Sequence, residues 1–369
     1  MTRVVVAMSG GVDSSVAALR LRETGAELVG LFLRNGIVHR EAVDCGPLPL
    51  LAPAHKQGCC SVDDARDARA VAAVLGIPFH AVDFSGEFET IIGGFVDSYR
   101  KGRTPNPCVE CNRDLKFGAL LRFADSIGAD AVATGHYARS RSGGPMLARS
   151  ADRAKDQSYV LAAVDRHALS RAMFPLGDLT KDQTREIARR AGLPTASKRE
   201  SQEICFVPSN NYRDLLAERG VVGTPGPIRH ADGRLLGKHD GYEKFTVGQR
   251  KGIGIPAPEP LYVISIDAAT ATVTVGPRAA LATHVLRCGA LSWLGQEHEA
   301  PSLGEAREYW VQIRAHHTPV RCIAAPTEEG LRIELLAPEP GVAAGQLAVL
   351  YDGYDGEMVA GSAWIESTE

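Results

Sequence analysis

No long apolar run occurs in the 369 residues. The run nearest the amino terminus, Val4 to Met8, has five residues, too short for a signal peptide or a membrane span. A cytoplasmic protein with no membrane partner is expected. An excess of positive charge is also missing: the net charge is −3, which argues against a protein that lives by non-specific nucleic-acid binding. No repeat and no low-complexity tract is found. A second CxxC pair is missing too. Cys108 and Cys111 form one, while Cys59-Cys60 are adjacent and Cys45 lies in an irregular stretch. A structural zinc site wants four ligands, so a zinc-held RNA-binding module is disfavoured.

What is present is ordinary for a globular chain: 44% hydrophobic and 23% charged residues. The length suggests two or three domains. Eight cysteines in such a chain point to reduced, catalytic or metal-binding thiols rather than structural disulfides. Basic residues cluster locally at Arg100, Lys101, Arg103, Arg113 and Lys116, with Lys198-Arg199 and Arg250-Lys251 beyond. Taken singly, each run reads as solvated surface.

The first part alternates strand and helix patterns. Arg3–Met8, Glu27–Leu33, Phe79–Val82 and Ala131–Thr134 read as strands. Helical spacing runs over Ser14–Glu23, over the stretch holding Ala65, Ala68, Ala72 and Leu75, and over Glu87–Lys101, Leu115–Ile127 and Thr180–Ala191. Gly25 and Gly76 are stops, and Ser61 with Asp64 looks like a capping box. Asn35 to Gly58, with Pro47, Pro49 and Pro53, reads as a long surface loop. Ile204–Val207 looks like a further strand. This alternation predicts an α/β fold, a doubly wound parallel sheet with helices on both faces. A small, mostly β region follows, with a hairpin at Asp232-Gly233 and Leu261–Ile266 pairing with Thr272–Val275. Six short strands come last: Ala290–Leu294, Tyr309–Ala315, Val320–Ala325, Leu331–Leu336, Gln346–Tyr351 and Glu357–Ile365. They suggest a β-barrel. The expected domains are 1–207, 208–284 and 285–369.

The strongest motif is Ser9-Gly10-Gly11-Val12-Asp13-Ser14-Ser15, directly after the first strand and opening the first helix. Unpaired N–H groups and the helix dipole favour an anion there, and two glycines let the backbone approach a phosphate closely. Ser9 and Ser14 add hydroxyls, and Asp13 is suited to hold Mg2+ or to organise the turn. The lysine of a Walker A loop is missing, and the glycine spacing is not that of a dinucleotide fingerprint. The loop resembles the pyrophosphate loop of N-type ATP pyrophosphatases, which cleave ATP between the α and β phosphates and adenylate a carbonyl oxygen. A ligand-free glycine-rich turn is the competing reading.

Five further segments follow in order. They are Gly102-Arg103-Thr104-Pro105-Asn106-Pro107-Cys108-Val109-Glu110-Cys111-Asn112 with Leu115-Lys116-Phe117, then Ala133-Thr134-Gly135-His136-Tyr137, then Lys155-Asp156-Gln157-Ser158-Tyr159. Ser201-Gln202-Glu203-Ile204-Cys205-Phe206 and Gly248-Gln249-Arg250-Lys251-Gly252-Ile253-Gly254 complete the set. Together they closely resemble the bacterial and mitochondrial tRNA-specific 2-thiouridylases, from Val4 to the carboxyl-terminal barrel. The resemblance implies an ATP-pyrophosphatase domain, a small central domain and a tRNA-contacting barrel. It implies a sulfurtransferase: ATP adenylates the C2 oxygen of the wobble uridine, and sulfur from a protein persulfide displaces AMP. ATP and Mg2+ would be needed, with tRNA and a persulfide donor such as a cysteine desulfurase or sulfur-relay protein as partners.

By that resemblance Cys205 carries the persulfide, and Cys111 completes the transfer while closing a transient disulfide with it. Without it, Cys205 would read as a small buried residue. ATP would be met by Ala7, Met8, Ser9, Gly10, Gly11, Val12, Asp13, Ser14, the Leu33 main chain and Gly135. The tRNA would be met by Asn106, Pro107 and Cys108 at the target base, and by His136, Lys155, Asp156, Gln157 and Gln346. Gln312-Ile313-Arg314-Ala315-His316-His317 departs from the family's basic barrel contact, leaving Arg314 as the carry-over. Cys108 stands where some family members carry aspartate. Cys108, Cys111 and Cys205 are therefore alternative ligands of a 4Fe-4S cluster with one open iron, beside the persulfide relay. An amidotransferase-linked ligase shares the ATP loop but has no need for these three cysteines.

Overall fold

The computed structural model describes residues 2–36, 62–141, 146–200, 204–207, 211–353 and 355–369. Most of the long loop after Asn35, Ser61 of the expected capping box, Cys45, Cys59, Cys60 and Ser201 to Glu203 lie outside the described residues.

The first strand, β1 (Arg3–Ala7), explains the central sheet. Val4, Val5 and Val6 have no exposed surface, so the strand is covered on both faces, as parallel sheets require. Val5 joins one core while Val4 and Val6 join the other, because side chains alternate along a strand. β2 (Glu27–Arg34) and β3 (Phe79–Asp83) extend the sheet on one side, β4 (Ala131–Ala133) on the other. A hairpin, β5 (Ala138–Arg141) and β6 (Met146–Arg149), precedes the last strand, β7 (Ala172–Met173). All pairings are parallel, in the order β3-β2-β1-β4-β7. Helices α1 (Val12–Glu23) and α2 (Val62–Leu75) cover one face, and α3 (Ser85–Arg100) covers the other.

Two expectations change here. Leu115–Ile127 is not one α-helix. A short helix, α4 (Pro107–Glu110), runs into a π-helix at Cys111–Ala119 and then α5 (Leu120–Ser126). Wide turns of this kind gather at functional sites. Ile204–Val207 is a turn, closed by the Val207 amide on the Ile204 carbonyl at 3.0 Å, and not a strand. The apolar run is explained by anchoring: Phe206 is buried, edge-on to Phe95 of α3 at 5.4 Å.

The short helices α6 (Ser158–Leu161) and α7 (Arg166–Ser170), then α8 (Lys181–Arg190) and α9 (Tyr212–Glu218), lead to the middle region. There β8 (Gly226–His230) and β9 (Leu235–His239) form the hairpin expected at Asp232-Gly233, with Gly233 at φ +91°. Their partners β10 (Tyr262–Asp267) and β11 (Thr272–Gly276) pair antiparallel as expected, but β11 meets β8 in parallel.

The closing barrel has six strands, and one is not the one expected. β12 (Ala282–Cys288) supplies it, while Ala290–Leu294 shrinks to β13 (Ser292–Trp293). The others are β14 (Arg307–Gln312), β15 (Val320–Thr327), β16 (Gly330–Pro340), β17 (Leu347–Asp352) and β18 (Met358–Thr368). β12 pairs with both β16 and β18, which closes the ring.

The barrel does not stand apart. β6 adds to its sheet through Met358 and Ala148. Beside this junction Asp156, its side chain 5% exposed, accepts from Arg149 at 3.1 Å, from the Ser150 amide at 2.8 Å and from the Ser158 hydroxyl at 2.7 Å. Ser158 in turn meets the Tyr351 hydroxyl of the barrel at 3.1 Å, and Tyr351 donates to Gln312 at 3.0 Å. Breaking a buried pair leaves an uncompensated charge. Asp156→Ala should therefore cost about 3–5 kcal/mol in urea unfolding, whereas Ser170→Ala on the surface should cost under about 0.5 kcal/mol.

Candidate active site

In an open parallel sheet, ligands settle at the carboxyl ends of strands where the order reverses. Here that place lies between β1 and β4, and the Ser9–Ser15 loop leaves β1 at this point. Gly10 holds φ +72°, and a Cβ there would lie 2.2 Å from the Asp64 carbonyl oxygen of α2. At Gly135, just past β4, a Cβ would lie 2.6 Å from the Ser14 nitrogen. The two glycines thus let α2 and the end of β4 press against the loop. Gly11 caps α1 without a side-chain acceptor for its first N–H groups, which leaves them to an anion. The serine hydroxyls are used within the loop: Ser14 Oγ accepts from the Ser9 amide at 3.1 Å and reaches the Gly11 carbonyl at 3.2 Å. Ala7, Met8 and Val12 seat the loop in the sheet and the core. Leu33 stands near the end of the adjacent β2.

Asp13 organises the turn through ions and hydrogen bonds. Lys181 Nζ donates to both carboxylate oxygens at 2.8 Å, and the Tyr137 hydroxyl donates at 3.0 Å. Gln157 braces Tyr137 on both main-chain groups, at 2.9 and 2.8 Å. Lys155 pairs with Glu200 at 2.7 Å. Asp156 and Gln157 therefore support the barrel junction and the loop, while the Lys155 side chain stays 36% exposed beside them.

His136 is buried. Its Nδ1 lies 2.8 Å from the Thr134 hydroxyl, and its Nε2 lies 3.4 Å from Lys116 Nζ. An ammonium only donates, so the ring accepts at Nε2 and carries its proton on Nδ1. Burial, and then the Lys116 charge, hold its pKa well below 6.5. Lys116 comes from the π-helix that begins at Cys111.

Cys111 and Cys205 are half-buried and pack against the same core; Cys108 is exposed, and none of the three is in a disulfide. Gln346 of the barrel donates to the carbonyls of Thr104 at 2.8 Å and Pro105 at 3.3 Å. Asn106 is buried and bonds the Tyr159 hydroxyl, which donates to the Leu347 carbonyl at 2.9 Å. The Arg314 charge also acts on Tyr159. Hence Asn106, Pro107, Cys108 and Gln346 meet around one loop held by the barrel, while Arg314 donates to the Pro340 carbonyl at 3.4 Å.

Metals fit less well. Among the described residues no three His, Cys, Asp or Glu side chains form a group placed to hold a metal. Cys108, Cys111 and Cys205 are not such a group, and the Asp13 carboxylate, 31% exposed, is paired with the Lys181 ammonium.

Family models cover the chain in three parts: a tRNA methyl transferase HUP domain over residues 2–209, a tRNA methyl transferase PRC-barrel domain over 213–277, and an aminomethyltransferase beta-barrel domain over 283–365. The tRNA-specific 2-thiouridylase of Bradyrhizobium diazoefficiens is 44% identical over 373 residues, covering 99% of this chain and 92% of its own. That of Geotalea uraniireducens is 45% identical over 370 residues, covering 99% and 95%. The chain belongs to the tRNA-specific 2-thiouridylase family. A 4-thiouridine synthetase–RNA complex with bound ATP aligns over 59% of this chain and 50% of its own, at 16% identity and a TM-score of 0.37, too loosely to add to this. Among the described residues no helix is long and apolar enough to cross a membrane.

Against the 2-thiouridylase motifs, sequence reasoning missed Lys181, Glu200 and the role of Tyr137. Tyr137 sat inside a quoted motif. Lys181 carried a signal of its own, a cation in the first turn of a capped helix, where the dipole opposes it.

Two outcomes are expected. Gly135→Ala forces the Asp13–Ser14 backbone aside, so ATP affinity should fall at least roughly tenfold, about 1.4 kcal/mol, in titration calorimetry, while circular dichroism stays native. The depressed pKa of His136 means the unfolded chain binds a proton that the folded one refuses. The stability linked to it is present above pH 6.5 and is lost as pH falls below it. The urea midpoint should drop less between pH 7.5 and 5.5 in His136→Gln than in wild type.

Proposed function

We propose that this chain is a tRNA 2-thiouridylase acting on the wobble uridine. The observation that carries the reading is the 44% identity over 99% of the chain to a protein of that name. The Ser9–Ser15 loop at the sheet's switch point and the two thiols on one core support it. ATP is the first substrate. The C2 oxygen of the uridine attacks the α phosphate and pyrophosphate leaves, which turns a poor urea-like electrophile into one with AMP as leaving group. Loop N–H groups at α1 hold the phosphates, and Gly135 keeps the pocket wall close.

Sulfur arrives on Cys205 as a persulfide made by a separate donor. The Cys111 thiolate attacks the inner sulfur and forms a Cys111–Cys205 disulfide. The terminal sulfur departs with the bonding pair, adds at C2 and expels AMP together with the original oxygen. A thiol reductant then reopens the disulfide. A disulfide needs the two Cα atoms within about 7 Å, so Cys205 and Cys111 must come within that distance in the transfer step. Cys108 acts beside Cys111 by tuning its thiolate.

The test is nucleoside mass spectrometry of tRNA incubated with protein, ATP and a persulfide donor. Wild type should form 2-thiouridine with AMP and pyrophosphate, and Ser9→Ala should reduce both. Cys111→Ser and Cys205→Ser should be inactive while Cys108→Ser keeps much of its activity in air. Release of ADP and phosphate would overturn adenylation. Three dead cysteine variants, with iron bound to protein purified without oxygen, would replace the relay by a cluster.

A further inference from the structure

The nucleotide loop is joined to the Lys155 run by an unbroken chain of charges. Lys181 Nζ touches Asp13 at 2.8 Å and Glu200 Oε1 at 2.9 Å, and its side chain is 10% exposed. The other Glu200 oxygen touches Lys155 at 2.7 Å, and Arg185 lies at 3.6 Å from the first. Helix α8 does not need Lys181 in this place. Its start is already closed by a capping box of Thr180 and Gln183, and a cation there opposes the dipole. The lysine is held by two carboxylates, and one of them belongs to the phosphate loop. Burial works against ionisation of Glu200, but Lys155 and Lys181 outweigh it and bring its pKa to about 2. It stays anionic at every working pH.

We propose that Glu200 is a positioning residue that makes the nucleotide and the tRNA antagonistic, because the cations meeting each of them share its carboxylate. This rests on the reading that the Ser9–Ser15 loop takes ATP and that Lys155 meets RNA phosphate. A polyphosphate seated at the first turn of α1 lies beside Asp13, and it draws Lys181 away from Glu200. Glu200 then keeps fewer counter-charges and holds Lys155 more firmly. An RNA phosphate drawing on Lys155 does the reverse. By linkage the two effects are equal. Loss of pyrophosphate returns Lys181 to Glu200 and releases Lys155 to the RNA, so adenylation itself tightens the hold on the substrate.

The measurement is the tRNA Kd with and without a saturating non-hydrolysable ATP analogue, on the full chain. Wild type should bind tRNA at least roughly fivefold more weakly with the analogue present. Glu200→Gln should bring that ratio to about one, Lys181→Met should do the same from the nucleotide side, and Glu200→Asp, which keeps the charge, should retain it. Binding of each ligand alone by the variants shows that they fold. A wild-type ratio within about twofold of one, or a ratio unchanged in Glu200→Gln, overturns the proposal while leaving the 2-thiouridylase reading intact. Failure of wild type to bind the analogue or tRNA at all overturns both.

Discussion

The site hangs on the close approach of Gly135 to the backbone of Asp13 and Ser14. A side chain there would separate β4 from the start of α1, and the next two residues would lose their places. His136 turns into the core toward Lys116 on the π-helix, while Tyr137 turns the other way and donates to Asp13. One tripeptide therefore sets the nucleotide loop on one side and the helix that begins with Cys111 on the other. The two halves of the candidate site, the nucleotide loop and the helix of Cys111, are held in register by a single missing Cβ.

The same economy runs through the barrel. Gln346 and Asp156, which family likeness assigns to RNA, spend their polar atoms here on the Thr104–Pro105 carbonyls and on Arg149, Ser150 and Ser158. These roles agree. A loop with two prolines, which lack N–H donors, leans on what packs against it, and Gln346 and the Ala344 carbonyl supply part of that hold. Tyr351, fully buried between Ser158 and Gln312, ties the barrel to the same frame. Polar networks of this kind favour one arrangement only when every member is satisfied.

Local signals carried most of the fold. The all-apolar Val4–Val6 run announced a strand covered on both faces, and the turn residues Asp232-Gly233 announced a hairpin. What escaped was decided by distant partners. The apolar Ile204–Val207 run looked like a strand because periodicity cannot tell a buried strand from a buried anchor; Phe95, more than a hundred positions away in the chain, decides for the anchor. The sixth barrel strand escaped for a similar reason, since Ala282–Cys288 becomes a strand by pairing with both β16 and β18. The π-helix has no local sequence signature at all. In the site, the loop glycines and cysteines were visible because close approach and nucleophilic sulfur demand particular residue types. The ion pair of Asp13 with Lys181 spans 168 positions, and no spacing rule reaches that far.

That pair also bears on why the loop lacks a Walker-type lysine. A P-loop carries its phosphate-binding cation within the motif, whereas here the ammonium nearest the loop's carboxylate arrives from α8, outside the loop. A cation built into the loop would stay on the phosphates throughout turnover. A cation delivered from another helix, and shared with Glu200, responds to what else that carboxylate holds. The proposed reaction, which releases pyrophosphate first and AMP later, needs its hold on phosphate to change between the two steps. An ammonium with two competing carboxylates within 3 Å can make that change by shifting partners, with the backbone of the loop left where Gly135 fixes it.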